Sequence, residues 1–143
     1  MSFVQIWIHL VWATKNRECT INKTLKPKLL AHIRENAIEK EIRIHFINCV
    51  EDHVHALISL GNSQSISKIA KLIKGESSSW VNKNNLLKGK FGWQNEYFGV
   101  SISASMVDRV REYIKNQEEH HKRHNFMEEY EDFMQKYGFK GAG

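Results

Sequence analysis

The stretch IRIHFINCVEDHVHALISL, residues 42–60, decides how this chain folds. Its first half alternates between two faces with the period of two that is typical of a β-strand. One of those faces carries Ile42, Ile44, Phe46, Asn48 and Val50. Residues 53–60 predict the next strand, and Glu51 and Asp52 form a short turn between the two. Residues 42–60 therefore predict a β-hairpin.

The residues before this hairpin predict one strand and one helix. Phe3–Thr14 is rich in β-branched and aromatic residues, which favours a first strand. Thr24 or Asn22 can cap a helix that has Pro27 in its first turn, and we expect that helix to extend to about Glu41.

A second helix is predicted directly after the hairpin. Ser65 can serve as its N-cap, because a serine hydroxyl accepts hydrogen bonds from the first backbone N–H groups of a helix. The apolar stripe of this helix is formed by Ile66, Ile69, Ala70 and Ile73. We expect Gly75 to weaken the helix before Trp80, and residues 82–90 to form a basic loop.

The last third of the chain predicts a strand and two helices. Phe91–Ser103 predicts a last, irregular strand. Ser105 with Asp108 resembles a capping box that opens a helix extending to about Lys122. Asn125 with Glu128 repeats that signal for a final helix, which Gly138 ends. The apolar stripe of that final helix is Phe126, Tyr130, Phe133, Met134 and Tyr137.

The predicted order strand, helix, strand, strand, helix, strand defines the fold class. Four strands on a chain of 143 residues favour one antiparallel four-stranded sheet with helices packed on it. This is an α+β fold of the ferredoxin-like or RRM-like kind, in a single domain that spans residues 1–143.

Composition excludes several classes of protein. With 41% apolar and 26% charged residues, the chain matches globular proteins rather than disordered ones. Cys19 and Cys49 are the two cysteines, and we expect free thiols in a reducing cytoplasm, although one disulfide could form. The longest apolar stretch, Phe3–Ala13, is interrupted by Gln5 and His9 and is shorter than the ~20 residues of a membrane span.

The net charge of +5 is concentrated in the middle of the chain. Residues 66–90 contain six lysines and one glutamate, so their excess equals the net charge of the whole chain. The six lysines are Lys68, Lys71, Lys74, Lys83, Lys88 and Lys90. A basic stretch of this kind either binds a polyanion such as nucleic acid or is a solvated helix face.

Three sets of residues could carry chemistry, and each also has a purely structural interpretation. His53 and His55 point to the same face of a strand, where they could bind one divalent metal or form a half-buried hydrogen-bonded pair. Tyr113 and Gln117 are four residues apart and share a helix face, although a tyrosine on such a face usually belongs to the core. His120 and His124, one helical turn apart, could bind a metal or could simply complement the end of a helix dipole.

The motifs together resemble the single-tyrosine transposases of the HUH superfamily, which include the TnpA-type enzymes of small bacterial insertion sequences and their REP-associated relatives. The resemblance covers nearly the whole chain. In the order of the family, the chain carries Asp-His-Val-His at 52–55, Lys-Gly-Glu-Ser-Ser at 74–78, Trp93-Gln94, Ser101-Ile102-Ser103 and Tyr-Ile-Lys-Asn-Gln at 113–117.

The resemblance assigns roles to four residues. His53 and His55 match the two metal-binding histidines, Tyr113 matches the nucleophile, and Gln117 matches the third metal ligand, with His121 as a reserve ligand. The resemblance implies Mg²⁺ or Mn²⁺ as cofactor and single-stranded DNA with small hairpins as substrate. It also implies a homodimer, in which one subunit's histidine pair can work with the other's tyrosine.

In this interpretation Tyr113 attacks the scissile phosphorus, releases a 3′-hydroxyl and leaves a 5′-phosphotyrosine. The lysines of residues 66–90 would contact phosphates, and Trp93 would stack on an unpaired base. Trp80 and Phe98 could also stack, but core packing is the favoured interpretation for both. Two alternatives remain open: a metal-dependent nuclease that uses water as nucleophile, and a non-catalytic RRM-like binder of single strands.

Overall fold

A computed structural model of the chain describes residues 2–119 and, beyond them, residues 128, 131, 132 and 135. Strands and helices alternate in the predicted order. They are β1 (Ile6–Ala13), α1 (Leu25–Glu39), β2 (Arg43–Cys49), β3 (His53–Leu60), α2 (Ile66–Lys83), β4 (Phe98–Ile102) and α3 (Val107–Lys115). Short 3₁₀ turns at Lys15–Arg17 and Ala104–Met106 follow β1 and precede α3. No helix among these residues has the length and apolarity needed to cross a membrane.

The four strands form one sheet in the order β2-β3-β1-β4, and every neighbouring pair is antiparallel. The helix α1 connects β1 to β2, and β3 lies between these two strands in the sheet. In the same way, α2 connects β3 to β4, and β1 lies between them. This is the arrangement of the ferredoxin-like fold, so the predicted α+β class is confirmed. β1 and β3 are the central strands, and their register pairs Val11 with His55 and His9 with Leu57.

Each face of the sheet is covered by different helices. Alternate residues of β1, such as Leu10 and Trp12, lie in a core with the apolar faces of α1 and α2. Fully buried side chains such as Leu29 contribute about 1.5–3 kcal/mol each to that core. On the opposite face, Val11 and Leu57 pack against α3. The sheet therefore separates a face covered by α1 and α2 from a face covered by α3.

β2 contains a bulge that the alternation of its sequence does not reveal. The predicted pattern put Ile44 on the same face as Phe46 and Asn48. The register with β3 shifts between Ile44 and Phe46, so one extra residue, His45, is inserted there. As a result Ile44 and Ile47 pack in the core of α1 and α2, whereas Phe46 packs towards α3.

The helices on the first face differ from the prediction in their details. Ser65 caps α2 as expected, since its hydroxyl accepts a hydrogen bond from the backbone N–H of Lys68. The expected weak point at Gly75 is absent, because α2 continues without interruption to Lys83. Residues 82 and 83 therefore belong to α2, and the expected loop over residues 82–90 begins later than predicted. Cys49, at the end of β2, is buried, whereas Cys19 is exposed, and both are free thiols.

The last predicted strand is much shorter than expected. Of Phe91–Ser103 only Phe98–Ile102 is in β4, and Trp93 forms an isolated bridge with Thr14. Side chains of α2 hold the residues before β4 instead. The amide of Asn82 bonds both the N–H and the carbonyl of Phe91, at 2.8 and 2.9 Å.

The predicted capping box at Ser105 and Asp108 is wrong. α3 begins at Val107, after a 3₁₀ turn, and has no side-chain cap. It ends at Lys115 rather than near Lys122, and helical conformation resumes at residues 117–119. The final helix predicted from Asn125 onward lies largely outside the described residues, among which 128, 131, 132 and 135 are helical.

The N-terminus of α1 allows a direct test of the capping residue. Oδ1 of Asn22 accepts hydrogen bonds from the N–H groups of Thr24 and Leu25, at 3.1 and 2.8 Å, whereas the Thr24 side chain makes no capping bond. Asn22→Ala should therefore lower the free energy of unfolding by about 1 kcal/mol in urea denaturation. The control Thr24→Ala should have a much smaller effect, and an equal loss in both variants would contradict the assignment of the cap.

Candidate active site

The two histidines of β3 lie together on the face covered by α3. His53 and His55 are both fully buried, and their ring centroids are 5.0 Å apart. The period of two along the strand puts them on one face, and the pairing of β3 with β1 keeps that strand rigid. The spatial proximity predicted for this pair is therefore present.

The carboxylate of Asp52 orients the first of these histidines. Nδ1 of His53 donates a hydrogen bond to Oδ1 of Asp52 at 2.7 Å, and the guanidinium of Arg17 contacts Oδ2 at 3.2 Å. Burial, the largest influence, raises the pKa of Asp52, but the hydrogen bonds and charges of His53 and Arg17 outweigh it and lower that pKa to about 2. In the neutral ring, the proton thus resides on Nδ1, and Nε2 of His53 keeps a lone pair.

Gln117 lies against that second nitrogen. Its Nε2 is 3.4 Å from Nε2 of His53, and the side chain is fully buried. A half-turn about the last bond of the side chain exchanges the amide nitrogen for the oxygen, so Gln117 can present either a donor or an oxygen ligand at this position.

Tyr113 lies above the second histidine. Its ring centroid is 5.8 Å from that of His55, with the ring planes near perpendicular, and only 7% of the residue is exposed. Tyr113 and the histidines belong to the same chain, so one chain by itself brings together His53, His55, Tyr113 and Gln117. The roles of these four residues stay predictions, whereas their convergence is a feature of the structure.

Asn48 of β2 fixes the position of the helix that carries the tyrosine. Its side-chain amide donates to the carbonyls of Ile114 and Lys115, at 2.9 and 3.3 Å. Both carbonyls lie in the last turn of α3, where the regular hydrogen bonds of a helix run out. Sequence analysis missed this residue. Its signal, a polar side chain within a strand, was present, but the bulge in β2 that turns it towards α3 was not predicted.

His9 is a further site residue that sequence analysis missed. It lies in β1 with no solvent exposure, and its Nε2 is 2.9 Å from Nδ1 of His55. Its ring also lies 6.0 Å from that of Tyr113. Burial lowers the pKa of His9 to about 3, so this ring is neutral at pH 7. A histidine within an otherwise apolar strand was the available signal.

The predicted DNA-binding lysines do not lie near this site. α2 covers the opposite face of the sheet, and its lysines Lys68, Lys71 and Lys83 are exposed there, as are Lys88 and Lys90 in the following loop. Lys74 is half-buried and donates hydrogen bonds to the carbonyls of Asn95 and Glu96, at 2.9 and 3.3 Å. These assignments remain predictions, and for Lys74 the structure adds a role in holding the 93–97 segment.

Two adjoining grooves lie on this second surface. The first, of about 410 Å³, contains Lys71 and Lys74, and the second, of about 670 Å³, contains Lys15 and Lys90. Trp93 lines both grooves, but its indole N–H donates to Oγ of Ser77 at 2.9 Å.

The other two candidate stacking residues pack against neighbouring side chains. Trp80 stacks on His32 with a centroid distance of 3.9 Å, and it packs against the core of α1 and α2. Phe98 packs against the core of α3. His120, His121 and His124 lie outside the described residues.

Comparison with known proteins places the chain in a family. Residues 2–117 match the family described as Transposase IS200 like, and the chain belongs to this family. It is 25% identical over 118 residues to the ISDra2 transposase TnpA of Deinococcus radiodurans, which covers 79% of this chain and 84% of that protein. It is 26% identical over 119 residues to the transposase of insertion sequence element IS200 from Salmonella typhimurium, covering 80% and 78%.

Solved structures share the fold. A crystal structure from Deinococcus radiodurans described as a transposase superimposes with a TM-score of 0.66 at 24% identity, covering 81% of this chain and 93% of that one. A REP-associated tyrosine transposase bound to a REP hairpin gives 0.61 at 17% identity, covering 85% and 72%. By its family, the protein is a transposase, a class of enzyme that cleaves DNA and transfers strands.

The lowered pKa of Asp52 predicts a specific dependence of stability on pH. A carboxylate with a lowered pKa in the folded state stabilises the fold fully above about pH 4, and this contribution is lost as the pH falls towards 2. At pH 7 Asp52→Asn should therefore cost about 2 kcal/mol of unfolding free energy, and the difference from wild type should shrink as the pH falls below about 4. Urea denaturation at each pH measures both.

Glu51→Gln, which removes the exposed neighbouring carboxylate, is the matched control and should not reproduce this pattern. A difference between wild type and Asp52→Asn that stays constant from pH 7 to pH 3 would contradict the stabilisation of the carboxylate by His53 and Arg17.

Proposed function

We propose that this protein cleaves and rejoins single-stranded DNA through a covalent 5′-phosphotyrosine intermediate on Tyr113. The observation that carries the proposal is the position of Tyr113, whose ring lies 5.8 Å from His55 within a buried group of polar side chains. A tyrosine needed only for packing would not require two histidines and a glutamine buried beside it, since buried polar groups cost free energy unless they are paired.

The reaction is balanced without a further reactant. The phenolic oxygen of Tyr113 attacks the phosphorus, the bond from phosphorus to the 3′ oxygen breaks, and the phenolic proton leaves with that oxygen as a 3′-hydroxyl. Tyrosine has an ordinary pKa near 10, far below that of an aliphatic alcohol, so it is a competent leaving group. A second 3′-hydroxyl can then attack the phosphotyrosine, rejoin the DNA and release Tyr113.

The donor set fits a divalent cation such as Mg²⁺ or Mn²⁺. His53 and His55 offer imidazole nitrogens, and Gln117 can turn its amide oxygen towards them. Among the described residues no three His, Cys, Asp or Glu side chains form a cluster suited to a metal, and Gln117 is the third protein donor that we propose. All three donors are neutral, and a cation bound there would polarise the phosphate oxygens as a Lewis acid.

The substrate we propose is a DNA hairpin with single-stranded flanks. The structural neighbour with a bound REP hairpin supports this choice, as do the two lysine-lined grooves on the face of α2. The lysines would contact phosphates, which positions the DNA without reading its sequence. Because these grooves and Tyr113 lie on opposite faces of the sheet, the strand would pass around the edge of the molecule to reach the tyrosine.

We also propose a homodimer, as the resemblance to the family implies. One chain holds all four predicted site residues, so each protomer of such a dimer can form a site from its own residues. Exchange of α3 between protomers would instead require Asn48 to release the carbonyls of Ile114 and Lys115, or to meet those of the partner.

The role of the nucleophile is tested by Tyr113→Phe. This change keeps the ring against His55 and removes only the hydroxyl, so thermal stability and hairpin binding should persist. Strand cleavage and the SDS-resistant protein–DNA adduct, measured on denaturing gels, should both be lost.

Tyr97→Phe, at an exposed tyrosine that lines the first groove and lies outside the buried cluster of histidines, is the control and should keep both cleavage and the adduct. Cleavage by well-folded Tyr113→Phe without an adduct would favour a nuclease that uses water. The absence of any cleavage by the wild type, with binding intact, would favour a non-catalytic binder of single strands.

The role of the metal is tested by removing its ligands. His53→Ala and His55→Ala should each abolish cleavage in Mg²⁺ or Mn²⁺ and weaken Mn²⁺ binding in titration calorimetry, because each removes one of three protein donors. Excess EDTA should abolish cleavage by the wild type. His45→Ala, at an exposed histidine of β2, is the control; undiminished cleavage in EDTA would refute a metal role.

The DNA-binding surface is tested by its salt dependence. Lys68 and Lys71 are exposed on α2, so their joint replacement by glutamine should not disturb the fold. The logarithm of the DNA-binding constant falls linearly with the logarithm of the salt concentration, with a slope of about 0.7 per phosphate contact on a single strand. If both lysines bind phosphates, the magnitude of that slope should decrease by about 0.7 for each lysine–phosphate contact removed. The preference for the hairpin should be retained, because phosphate contacts do not read the sequence. Fluorescence anisotropy at several salt concentrations measures this slope.

The matched control replaces Lys23 and Lys28, two exposed lysines in and before α1, by glutamine. Lys74→Gln is made separately, because Lys74 also holds the 93–97 segment. An unchanged slope in the first variant would place the DNA elsewhere, and equal affinity for the matching duplex would contradict the preference for single strands.

A further inference from the structure

His9 occupies a position where an apolar residue would satisfy the packing of β1. Its neighbours in the strand, Ile8 and Leu10, are buried in the core on the other face, and His9 itself has no solvent exposure. The pairing of β1 with β3 aligns it with Leu57, next to the position where His55 faces Val11. Its ring nitrogen Nε2 is 2.9 Å from Nδ1 of His55.

When both imidazoles are neutral, the hydrogen bond between them couples their tautomers. Each neutral ring carries one proton, so either His55 donates from Nδ1 to His9, or His9 donates from Nε2 to His55. In the second case the single proton of His55 lies on Nε2, and this nitrogen cannot bind a cation. In the first case Nε2 of His55 keeps its lone pair, and the proton of His9 lies on Nδ1.

We propose that His9 is a positioning residue that accepts the Nδ1 proton of His55 and so holds the Nε2 lone pair of His55 ready for the metal. The inference rests on the metal centre of the proposed function. Asp52 has the same relation to His53, at 2.7 Å. The two histidines therefore have different acceptors, a carboxylate for His53 and a neutral imidazole for His55. An outer partner of this kind fixes both the orientation and the tautomer of a metal-binding histidine.

The geometry argues against His9 as a metal ligand itself. Its Nε2 is already engaged with Nδ1 of His55, whereas the cation would bind the other ring nitrogen, Nε2 of His55. Within the described part of the chain, His9, His53 and His55 do not form a cluster with the arrangement of a metal site. His9 thus contacts Nδ1 of His55 in the same way that Asp52 contacts Nδ1 of His53.

The tautomer of His55 can be measured in the metal-free wild type by long-range ¹H–¹⁵N correlation spectroscopy at neutral pH. We expect a protonated Nδ1 and an unprotonated Nε2. His9→Leu and His9→Phe, which remove the acceptor and keep an apolar side chain, should shift His55 towards the Nε2-protonated form. His9→Gln can offer its amide oxygen at the same point and should keep the wild-type form.

Mn²⁺ binding, measured by titration calorimetry and electron paramagnetic resonance, gives a second readout. His9→Leu or His9→Phe should weaken Mn²⁺ affinity by about 10–100-fold, the range for loss of an outer partner, while His9→Gln should restore most of it. A merely structural role would lower thermal stability in all three variants without changing the tautomer of His55.

The outcomes separate the inference from the proposed function. If the wild type binds Mn²⁺ but its His55 carries the proton on Nε2, the role of His9 is overturned and the metal centre stands. If His9→Leu or His9→Phe keeps the wild-type tautomer of His55 and the wild-type Mn²⁺ affinity, the role of His9 is overturned as well. If the wild type binds no Mn²⁺, both the metal centre and the role of His9 fall, and this result needs no variant to fold.

Discussion

The packing of α3 against the central strands is the interaction on which the site depends. Val110 and Ile114 of α3 meet Val11 and Leu57 of β1 and β3 in a small apolar core, and Tyr113 is carried into place by this contact. The buried polar side chains of His9, His53, His55 and Gln117 lie beside that core. Hydrogen bonds between neighbouring strands orient the imidazole rings, and hydrogen bonds from β2 to α3 fix the position of the helix that carries Tyr113.

Much of the fold could be predicted from local patterns. The period of two in β3 placed His53 and His55 on one face, and the spacing of Tyr113 and Gln117 placed these two near each other. The expected shared face of one continuous helix is absent for the second pair, since α3 ends at Lys115 and Gln117 follows a break in the helix. Local signals are strong where the backbone repeats regularly.

The remaining features depend on contacts between distant parts of the chain. The bond from His9 to His55 spans 46 residues, and that from Asn48 to Ile114 spans 66. No spacing rule reports such contacts, because they arise from strand register and helix docking. The residues that orient the predicted ligands were therefore missed, whereas the predicted ligands themselves were found through resemblance to a family of known chemistry.

The bulge at His45 decides which way the two ends of β2 face. Ile44 must face α1 and α2, while Asn48, four residues later, must face the other way to reach the end of α3. At constant length, a regular strand would put residues 44 and 48 on the same face, because each strand residue reverses the direction of the next. Deletion of His45 would remove the bulge and leave Ile44 and Asn48 three residues apart, still on opposite faces. Both contacts are therefore compatible with losing the extra residue but not with straightening β2 at its present length.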